Sequence, residues 1–235
     1  MRIGALVLLR DGLAVQSYGW EVIRGLGRLQ GVLDALDDYG CDEVAVIRPV
    51  RAQDTDTALA KDIAALERCS TMTPLSFGGG IRCARQLSLL QGLPVERLVL
   101  SSAFLERDDT LIEQASQTFG KQAIQCLLPV RRNGTHLEVF CPARGGFRLL
   151  TGESMTRIEA LCNELILLDM THEGTANSFD FTLLDAAGFP PERTLLSGGI
   201  GEQTIARARE ARVAAVLLDN RMLHREHATL GYRHG

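Results

Sequence analysis

Apolar residues fall into two kinds of segment that alternate along the chain. Short, continuous, β-rich runs recur eight times. They span Ala5–Leu9, Glu43–Ile47, Pro74–Phe77, Arg97–Leu100, Ala123–Leu128, Glu164–Leu168, Thr194–Ser197 and Ala214–Leu218. Continuous apolar runs of this length are typical of parallel strands that are buried on both faces.

Segments with helical spacing separate these runs. They span Leu26–Tyr39, Asp56–Arg68, Cys83–Leu90, Thr110–Phe119, Ser154–Cys162, Phe181–Ala187 and Glu202–Arg212. Eight strands that alternate with seven or eight helices predict a single α/β domain over residues 1–235, a (βα)8 TIM barrel. A doubly wound open sheet is the alternative, but it rarely needs eight repeats in a chain of this length.

A polar insertion after the fifth predicted strand interrupts the alternation. Within Val130–Phe140, the pair Asn133-Gly134 lies between alternating residues, which predicts a two-residue β-hairpin turn. The residues after Leu223 are mostly polar. We therefore expect the last helix to be short and the tail to fray.

Composition and charge restrict the class of protein. With 46% hydrophobic and 23% charged residues the chain is globular, and its net charge of −4 gives no bulk attraction to nucleic acid or to anionic membranes. The six cysteines form no CxxC pair and no histidines cluster at zinc-like spacing, so we expect reduced thiols, no metal and no cofactor. The chain starts directly with a strand-like run and has no apolar stretch of membrane-spanning length, which predicts a cytoplasmic protein.

Two features of the first half recur in the second half at nearly the same offset. Gly79-Gly80-Ile81 matches Gly198-Gly199-Ile200, 119 positions further on, and Val99–Leu105 matches Leu217–Leu223, 118 positions further on. The matches favour a duplicated half barrel, with halves of approximately 1–120 and 121–235. Chance similarity between generic βα units is the alternative.

Each repeated glycine pair follows a strand and precedes a helix, so its N–H groups and the helix dipole predict a phosphate-binding site. Serine hydroxyls add donors in the first half. The predicted phosphate-binding residues are Gly79, Gly80, Ser101, Ser102, Gly198, Gly199 and Asn220. Asp219 stands where the repeat has Ser101, and its carboxylate repels phosphate. A ligand with a phosphate at both ends is the prediction, and tight turns that simply need glycine are the alternative.

Other residues after the predicted strands are candidates for chemistry at the same rim. His172 and Glu173 follow the sixth strand and are candidates for acid/base catalysis, although a helix-entry loop also uses such residues for capping. Arg48, Arg51 and Arg82 follow the second and third strands. They predict an anion-binding rim through forked hydrogen bonds, and solvated surface arginines are the alternative.

Seven motifs together identify a family. They are Arg10-Asp11-Gly12, Tyr39–Glu43, Phe77–Arg82, Ser101-Ser102-Ala103, Phe119–Ala123, His172–Thr175 and Ser197-Gly198-Gly199. From Arg2 to Leu223 the chain resembles the cyclase subunit of imidazole glycerol phosphate synthase and its sister, the phosphoribosyl-formimino isomerase of histidine biosynthesis. The predicted hairpin and the Glu173-Gly174-Thr175 loop favour the cyclase branch. The resemblance implies a lyase-type cyclase whose two phosphate sites hold a bis-phosphorylated substrate.

The acidic residues of that family are missing from the chain. The resemblance places its two acid/base aspartates at Leu8 and Leu128, and a basic lysine at Gln16. It places two further aspartates at Arg48 and Thr171. Leucine transfers no proton, and the loss of a positioned acid or base typically costs about 10²–10⁴-fold in rate. We therefore expect normal cyclase activity to be nearly absent.

Charged residues precede four of the predicted strands, at the N-terminal mouth of the barrel. They are Arg2, Glu43, Arg97 and Glu164. The resemblance implies that they form a gate for ammonia supplied by a docked glutaminase subunit. An ordinary solvated rim of charges is the alternative.

Three functions follow from these observations. The leading hypothesis is a divergent cyclase-subunit-like barrel that binds a phosphorylated sugar or nucleotide and works with a glutamine amidotransferase partner. The resemblance implies surface-sugar amidation as one setting for such members. A genuine imidazole glycerol phosphate synthase cyclase is the second hypothesis, and a non-catalytic phosphate-ligand-binding or scaffold protein is the third.

Overall fold

The computed structural model describes residues 1–21, 23–51 and 53–219. The strands of this part, in chain order, are β1 (Arg2–Arg10), β2 (Leu13–Gln16), β3 (Arg24–Arg28), β4 (Val44–Ile47), β5 (Leu75–Gly78), β6 (Arg97–Leu100), β7 (Ile124–Asn133), β8 (His136–Cys141), β9 (Gly146–Leu149), β10 (Glu164–Asp169), β11 (Thr194–Ser197) and β12 (Ala215–Asp219). The helices are α1 (Leu29–Asp38), α2 (Asp56–Leu66), α3 (Ala84–Ser88), α4 (Ser102–Leu105), α5 (Asp109–Phe119), α6 (Gly152–Leu161), α7 (Thr182–Ala187) and α8 (Glu202–Glu210).

Eight of the strands form a closed parallel ring. Its order is β1-β4-β5-β6-β7-β10-β11-β12, and β12 pairs with β1 again. The two predicted halves meet where β6 pairs with β7 and where β12 pairs with β1. The ring and the helices between its strands confirm the predicted (βα)8 barrel. Four neighbouring strands come from each predicted half, while the duplication itself stays a prediction.

The apolar core has two layers because successive residues of a strand face opposite sides of the sheet. The inner layer fills the barrel. It contains Leu6, Leu8, Ala45, Ile47, Val99, Leu127, Ile166, Leu168, Leu195 and Leu217. The outer layer lies between sheet and helices, where α1 for example buries Leu29, Leu33 and Leu36 at helical spacing. The continuous apolar runs in the sequence thus arise from strands that are buried on both sides.

Antiparallel strands extend the ring at two places. The predicted hairpin is confirmed, but Asn133 pairs with His136, so the turn consists of Gly134 and Thr135, with Gly134 at φ +58°. The predicted helix Leu26–Tyr39 is wrong at its start, because Arg24–Arg28 forms β3 beside β2 and α1 begins only at Leu29.

None of the helices in the described ranges has the length and apolar character that a membrane crossing requires. The predicted short last helix and tail lie outside the described residues.

Candidate functional site

The first glycine pair forms a tight turn against the end of β4. Gly79 and Gly80 have φ angles of +101° and +80°. A Cβ atom on Gly79 would lie 2.3 Å from the carbonyl oxygen of Arg48, and one on Gly80 would lie 2.3 Å from the Arg48 guanidinium. Only glycine fits both the backbone angle and the space, so the turn lies close to its neighbours at the C-terminal rim.

Buried hydrogen-bonding groups without a partner surround this turn. Within the described residues they include the hydroxyl of Ser101, the indole Nε1 of Trp20, and Nε and Nη2 of Arg82. All three side chains line one small, partly open cavity together with Gly79, Gly80 and Ser102. Burying a polar group costs free energy unless it is hydrogen-bonded. These donors therefore fit a ligand that is rich in acceptor oxygens. The sequence identified Ser101 and Arg82 but missed Trp20, because its loop carries no motif.

A loop of the protein itself covers the second glycine pair. The carbonyl oxygen of Gly199 accepts hydrogen bonds from the N–H groups of Ser178 and Phe179, at 2.9 and 3.2 Å. At the start of α8, Oδ1 of Asn177 accepts from the N–H of Gln203 at 2.9 Å. Gly198 has a φ angle of +82° and lies against Asp169, as Gly79 lies against Arg48. The two turns match in backbone form, but the second is occupied by the β10–α7 loop.

Asn220 was predicted to complete the second phosphate site and lies outside the described residues. Its neighbour Asp219 is buried, and its carboxylate accepts a hydrogen bond from the N–H of Gly174 at 3.0 Å. The carboxylate thus points toward the β10–α7 loop. The second turn therefore has a negative charge nearby, where the first turn has the Ser101 hydroxyl.

Glu173 is buried at the barrel mouth, beside the ends of β1 and β12. Its carboxyl oxygens each accept from the Ser17 hydroxyl at 3.0 Å, and one accepts from the backbone N–H of Trp20 at 3.2 Å. Glu173 lines a small cavity together with Leu8 and Asp219. Burial, with a contribution from the Asp219 charge, raises the pKa of Glu173 to about 7. A carboxyl group that titrates near neutral pH is typical of a general acid or base.

His172 is held by a buried aspartate that the sequence analysis missed. Its Nδ1 lies 2.7 Å from Oδ2 of Asp169, the last residue of β10. Asp169 also accepts from the N–H groups of Thr171 and Asp180, both at 3.0 Å. The predicted strand ended one residue earlier, at Leu168, so Asp169 was overlooked. A carboxylate at the C-terminal end of a barrel strand was the available signal.

The three arginines predicted as an anion-binding rim lie in different surroundings. Arg48 is only 4% exposed and is paired with Asp54 at 2.8 Å and with Asp62 at 2.6 Å. Arg51 donates to the carbonyl oxygen of Trp20 and lies 5.2 Å from the centroid of the Phe140 ring. Arg82 alone of the three has buried donor nitrogens without a partner in the described part of the chain.

The structure corrects one of the two positions assigned to the family's acid/base aspartates. Leu8 faces the barrel interior, as expected. Leu128 packs in the outer layer against the helices, whereas its neighbour Leu127 belongs to the inner layer. Alternation along the strand therefore places Pro129, and not Leu128, on the inner side. Proline also transfers no proton, so the expected absence of a side-chain acid at this position is unchanged.

The four charged residues at the N-terminal mouth form one connected cluster. Arg2 pairs with Glu43 at 2.9 Å and with Glu164 at 2.6 Å, and Arg97 lies 3.5 Å from Glu43. Gln125, which the sequence analysis did not single out, donates to Glu164 at 2.8 Å. Burial raises the pKa of Glu43 despite its two arginine neighbours. We call these five residues the N-terminal charge cluster.

The fold and the rim define a (βα)8 barrel protein with unpartnered buried donors at its C-terminal end and a charge cluster at its N-terminal end, within the described residues. A family described as histidine biosynthesis protein matches residues 10–229, and the chain belongs to this family. The chain is also 28% identical over 188 residues to a protein of Campylobacter jejuni subsp. jejuni serotype O:2 named "Putative imidazole glycerol phosphate synthase subunit hisF2". That match covers 78% of this chain and 73% of the relative.

Proposed function

We propose that the chain is a cyclase-subunit-like barrel that binds a phosphorylated sugar or nucleotide at its C-terminal rim and uses ammonia from a glutaminase partner. The observation that carries the proposal is the set of buried, unpartnered donors of Trp20, Arg82 and Ser101 around the Gly79-Gly80 turn, within the described residues. Phosphate oxygens accept several hydrogen bonds at once and pair well with a guanidinium group.

One phosphate at the first glycine turn is the binding mode that the rim favours. The second turn, at Gly198 and Gly199, is covered by its own loop, and Asp219 adds a carboxylate on that side. A phosphate there would have to displace Asn177 from the start of α8. The ligand is therefore anchored at one end, and its other end extends across the mouth toward Glu173.

Two observations support a partner at the N-terminal mouth. The relative's name describes it as a subunit, so a protein of this kind works in an assembly. The N-terminal charge cluster also lies at one end of the barrel interior. Apolar side chains fill this interior as far as Leu8, near the opposite end. Neutral ammonia crosses an apolar interior at a lower cost than a charged ion, because desolvating an ion is expensive. A glutaminase docked at this end fits both observations.

Glu173 and His172 are the proposed acid/base groups at the mouth. Glu173 lines the same cavity as Leu8, the position of a missing family aspartate. His172 presents Nε2 as its remaining ring nitrogen, since Nδ1 is engaged by Asp169. The location of Glu173 also favours the second candidate, a cyclase proper in which Glu173 takes over proton transfer.

Binding of ribose 5-phosphate, followed by calorimetry, tests the proposed anion site. Arg82→Ala and Ser101→Ala should each weaken binding, with Arg82→Ala costing about tenfold or more because a charged hydrogen bond is lost. Arg85→Ala is the matched control, since Arg85 is 80% exposed and lies outside the cavity. Equal affinity of the wild type and Arg82→Ala would overturn the proposal.

Turnover separates the candidate functions. Product from the family's bis-phosphorylated substrate and ammonia at a normal cyclase rate would establish a genuine cyclase. Stimulation of a glutaminase partner by the phosphorylated ligand, without that product, would support the leading proposal. Ligand binding with neither effect would favour a scaffold protein.

A further inference from the structure

A further cavity shares no lining residue with the two cavities at the barrel mouth. Its volume is about 440 Å³, within the usual range for small-molecule sites. Four arginines and two glutamates are its charged lining residues. They are Arg107, Arg144, Arg148, Arg157, Glu106 and Glu153. We call it the arginine cavity. Its lining carries an excess of two positive charges, of which Asp109, paired with Arg157, neutralises one.

The pairing inside the arginine cavity shows that its guanidinium groups already hold an oxyanion. Glu106 accepts from Nε and Nη2 of Arg144, at 3.0 and 2.7 Å. Nη1 of Arg148 lies 3.5 Å from the same carboxylate. Carboxylate and phosphate have the same forked geometry toward arginine. The arrangement that holds Glu106 therefore suits a phosphate group as well.

The carboxylates that pair with Arg107 and Arg157 are both more than half exposed, and the partner of Arg157 is Asp109. Arg107 pairs with Glu153 at 2.7 Å, but both side chains are more than half exposed. An exposed pair of this kind contributes little and is readily exchanged for another partner. Burial lowers the pKa of Arg157, and the charge of Arg107 lowers it further. An anion between the two arginines would relieve their repulsion.

The backbone at Arg107 adds a further observation. Its φ angle is +59°, in the left-handed region that favours glycine. Arginine at this position costs conformational free energy, and the chain nevertheless has a guanidinium there, at the edge of the cavity. The first turn of α6, with Thr151 and Ser154, lines the same cavity and adds the positive end of a helix dipole.

We propose that the arginine cavity binds a small anion that carries two or more phosphate groups, at a site separate from the Gly79-Gly80 turn. The four arginines, their forked geometry and the volume of the cavity together favour a ligand larger than a single phosphate. Arg157 and Arg148 also donate to the carbonyl oxygens of Phe104 and Leu105 in α4. The helix α4 begins at Ser102, so the two anion sites lie at opposite ends of one short helix.

Calorimetric titration with inorganic pyrophosphate tests the proposal, and the Arg82→Ala protein is used so that the rim site does not contribute. Pyrophosphate should bind this protein, and adding Arg107→Gly or Arg144→Ala should weaken binding at least about tenfold. Arg107→Gly preserves the fold because glycine adopts the observed φ angle freely. Arg85→Ala is the matched control and should leave the affinity unchanged.

Two outcomes would overturn the arginine cavity as a site. One is no pyrophosphate binding to the Arg82→Ala protein while circular dichroism shows it to be folded. The other is binding that Arg107→Gly and Arg144→Ala change no more than Arg85→Ala does. Failure of the ribose 5-phosphate experiment at the rim would leave this test intact, since it does not depend on the rim site.

Discussion

Arg48 keeps its charge in an almost fully buried position because carboxylates surround it. Asp54 and Asp62 both lie at ion-pair distance, and Asp62 also accepts from the N–H of Gly12. The cluster therefore ties the β1–β2 turn to β4 and to α2. Arg48 also donates to the carbonyl oxygen of Gly79, so the buried ion-pair cluster lies directly beside the Gly79 turn.

Arg48→Met should strongly destabilise the protein. It leaves two buried or half-buried carboxylates without their cation, and such a loss typically costs about 3–5 kcal/mol. Urea unfolding measures the change. Arg85→Met is the control, because the exposed pair of Arg85 with Asp56 should contribute less than about 1 kcal/mol. Similar unfolding midpoints for the two variants would contradict this account of Arg48.

Glu173 makes the stability of the protein depend on pH in a defined direction. Its pKa in the folded state, about 7, lies above the ordinary value of 4.5. The group therefore contributes stability that is fully present below the ordinary value and is lost as pH rises through about 7. Glu173→Gln removes this titration and keeps a polar side chain of the same size.

The free energy of unfolding of the wild type, relative to Glu173→Gln, should fall between about pH 5 and pH 8, by at most about 3 kcal/mol. Urea unfolding of both proteins at several pH values gives this difference, in which other titrating groups cancel. A difference that stays constant over the range would mean that Glu173 has an ordinary pKa.

Single residues were predicted from the sequence where a local rule applies. The φ angles of Gly79 and Gly198 follow from the turn that each must form, and Leu8 faces inward as its strand position requires. Arg48 was predicted as an anion binder, and its partner Asp62 lies on another element. An ion pair between different elements cannot be recognised from the pattern of apolar and polar residues around either partner. The choice between Leu128 and Pro129 depended on a one-residue register, which an all-apolar strand does not reveal.

At the scale of elements, the β10–α7 loop is fixed to the start of α8. Asn177 has a φ angle of +57°, which asparagine tolerates better than most residues, and its side chain accepts from Gln203. The loop carries His172 and Glu173, so its anchoring also determines where these two groups lie.

Asn177→Ala should destabilise the protein by about 1–2 kcal/mol, since it removes a helix-capping acceptor and leaves a residue unsuited to the left-handed region. Asn177→Gly should cost less, because glycine removes the backbone strain and only the hydrogen bond is lost. Thermal unfolding of the three proteins measures the order. Equal losses for alanine and glycine would show that backbone strain at this position is negligible.

The eight barrel strands were all predictable because burial on both faces produces a continuous apolar run. The pair β2 and β3 was not, since β3 contains two glycines and two arginines within Arg24–Arg28 and has no apolar pattern of its own. These strands form because β1 extends beyond the ring and offers β2 an edge. Such a cause belongs to tertiary structure and is absent from the local sequence.

On the scale of the whole molecule, the two ends of the barrel have different chemistry. The C-terminal rim has unpartnered donors and titratable groups, whereas the N-terminal mouth has a chain of ion pairs that connects Arg2, Glu43, Glu164 and Arg97. An apolar interior separates them. The division agrees with the general behaviour of these barrels, in which the C-terminal face carries the chemistry.

Arg97→Glu tests whether the two ends work independently. The variant places a third carboxylate near Arg2, which should weaken coupling to a glutaminase partner while ribose 5-phosphate binding at the rim stays unchanged. Arg97→Lys keeps the charge and should retain most of the coupling. Glutaminase stimulation and calorimetry provide the two readouts, and a parallel loss of both would indicate general damage to the barrel.

The ring of parallel strands has no edge, but its antiparallel extensions do. Among the described residues β3 pairs with β2 and β9 pairs with β8. An unpaired strand edge is a template for sheet formation between separate molecules, which leads to aggregation. Here β3 carries Arg24 and Arg28 beside glycines, and β9 carries Arg148. Like charges on approaching copies repel each other. These arginines should therefore oppose pairing between the edge strands of separate molecules when the protein is concentrated.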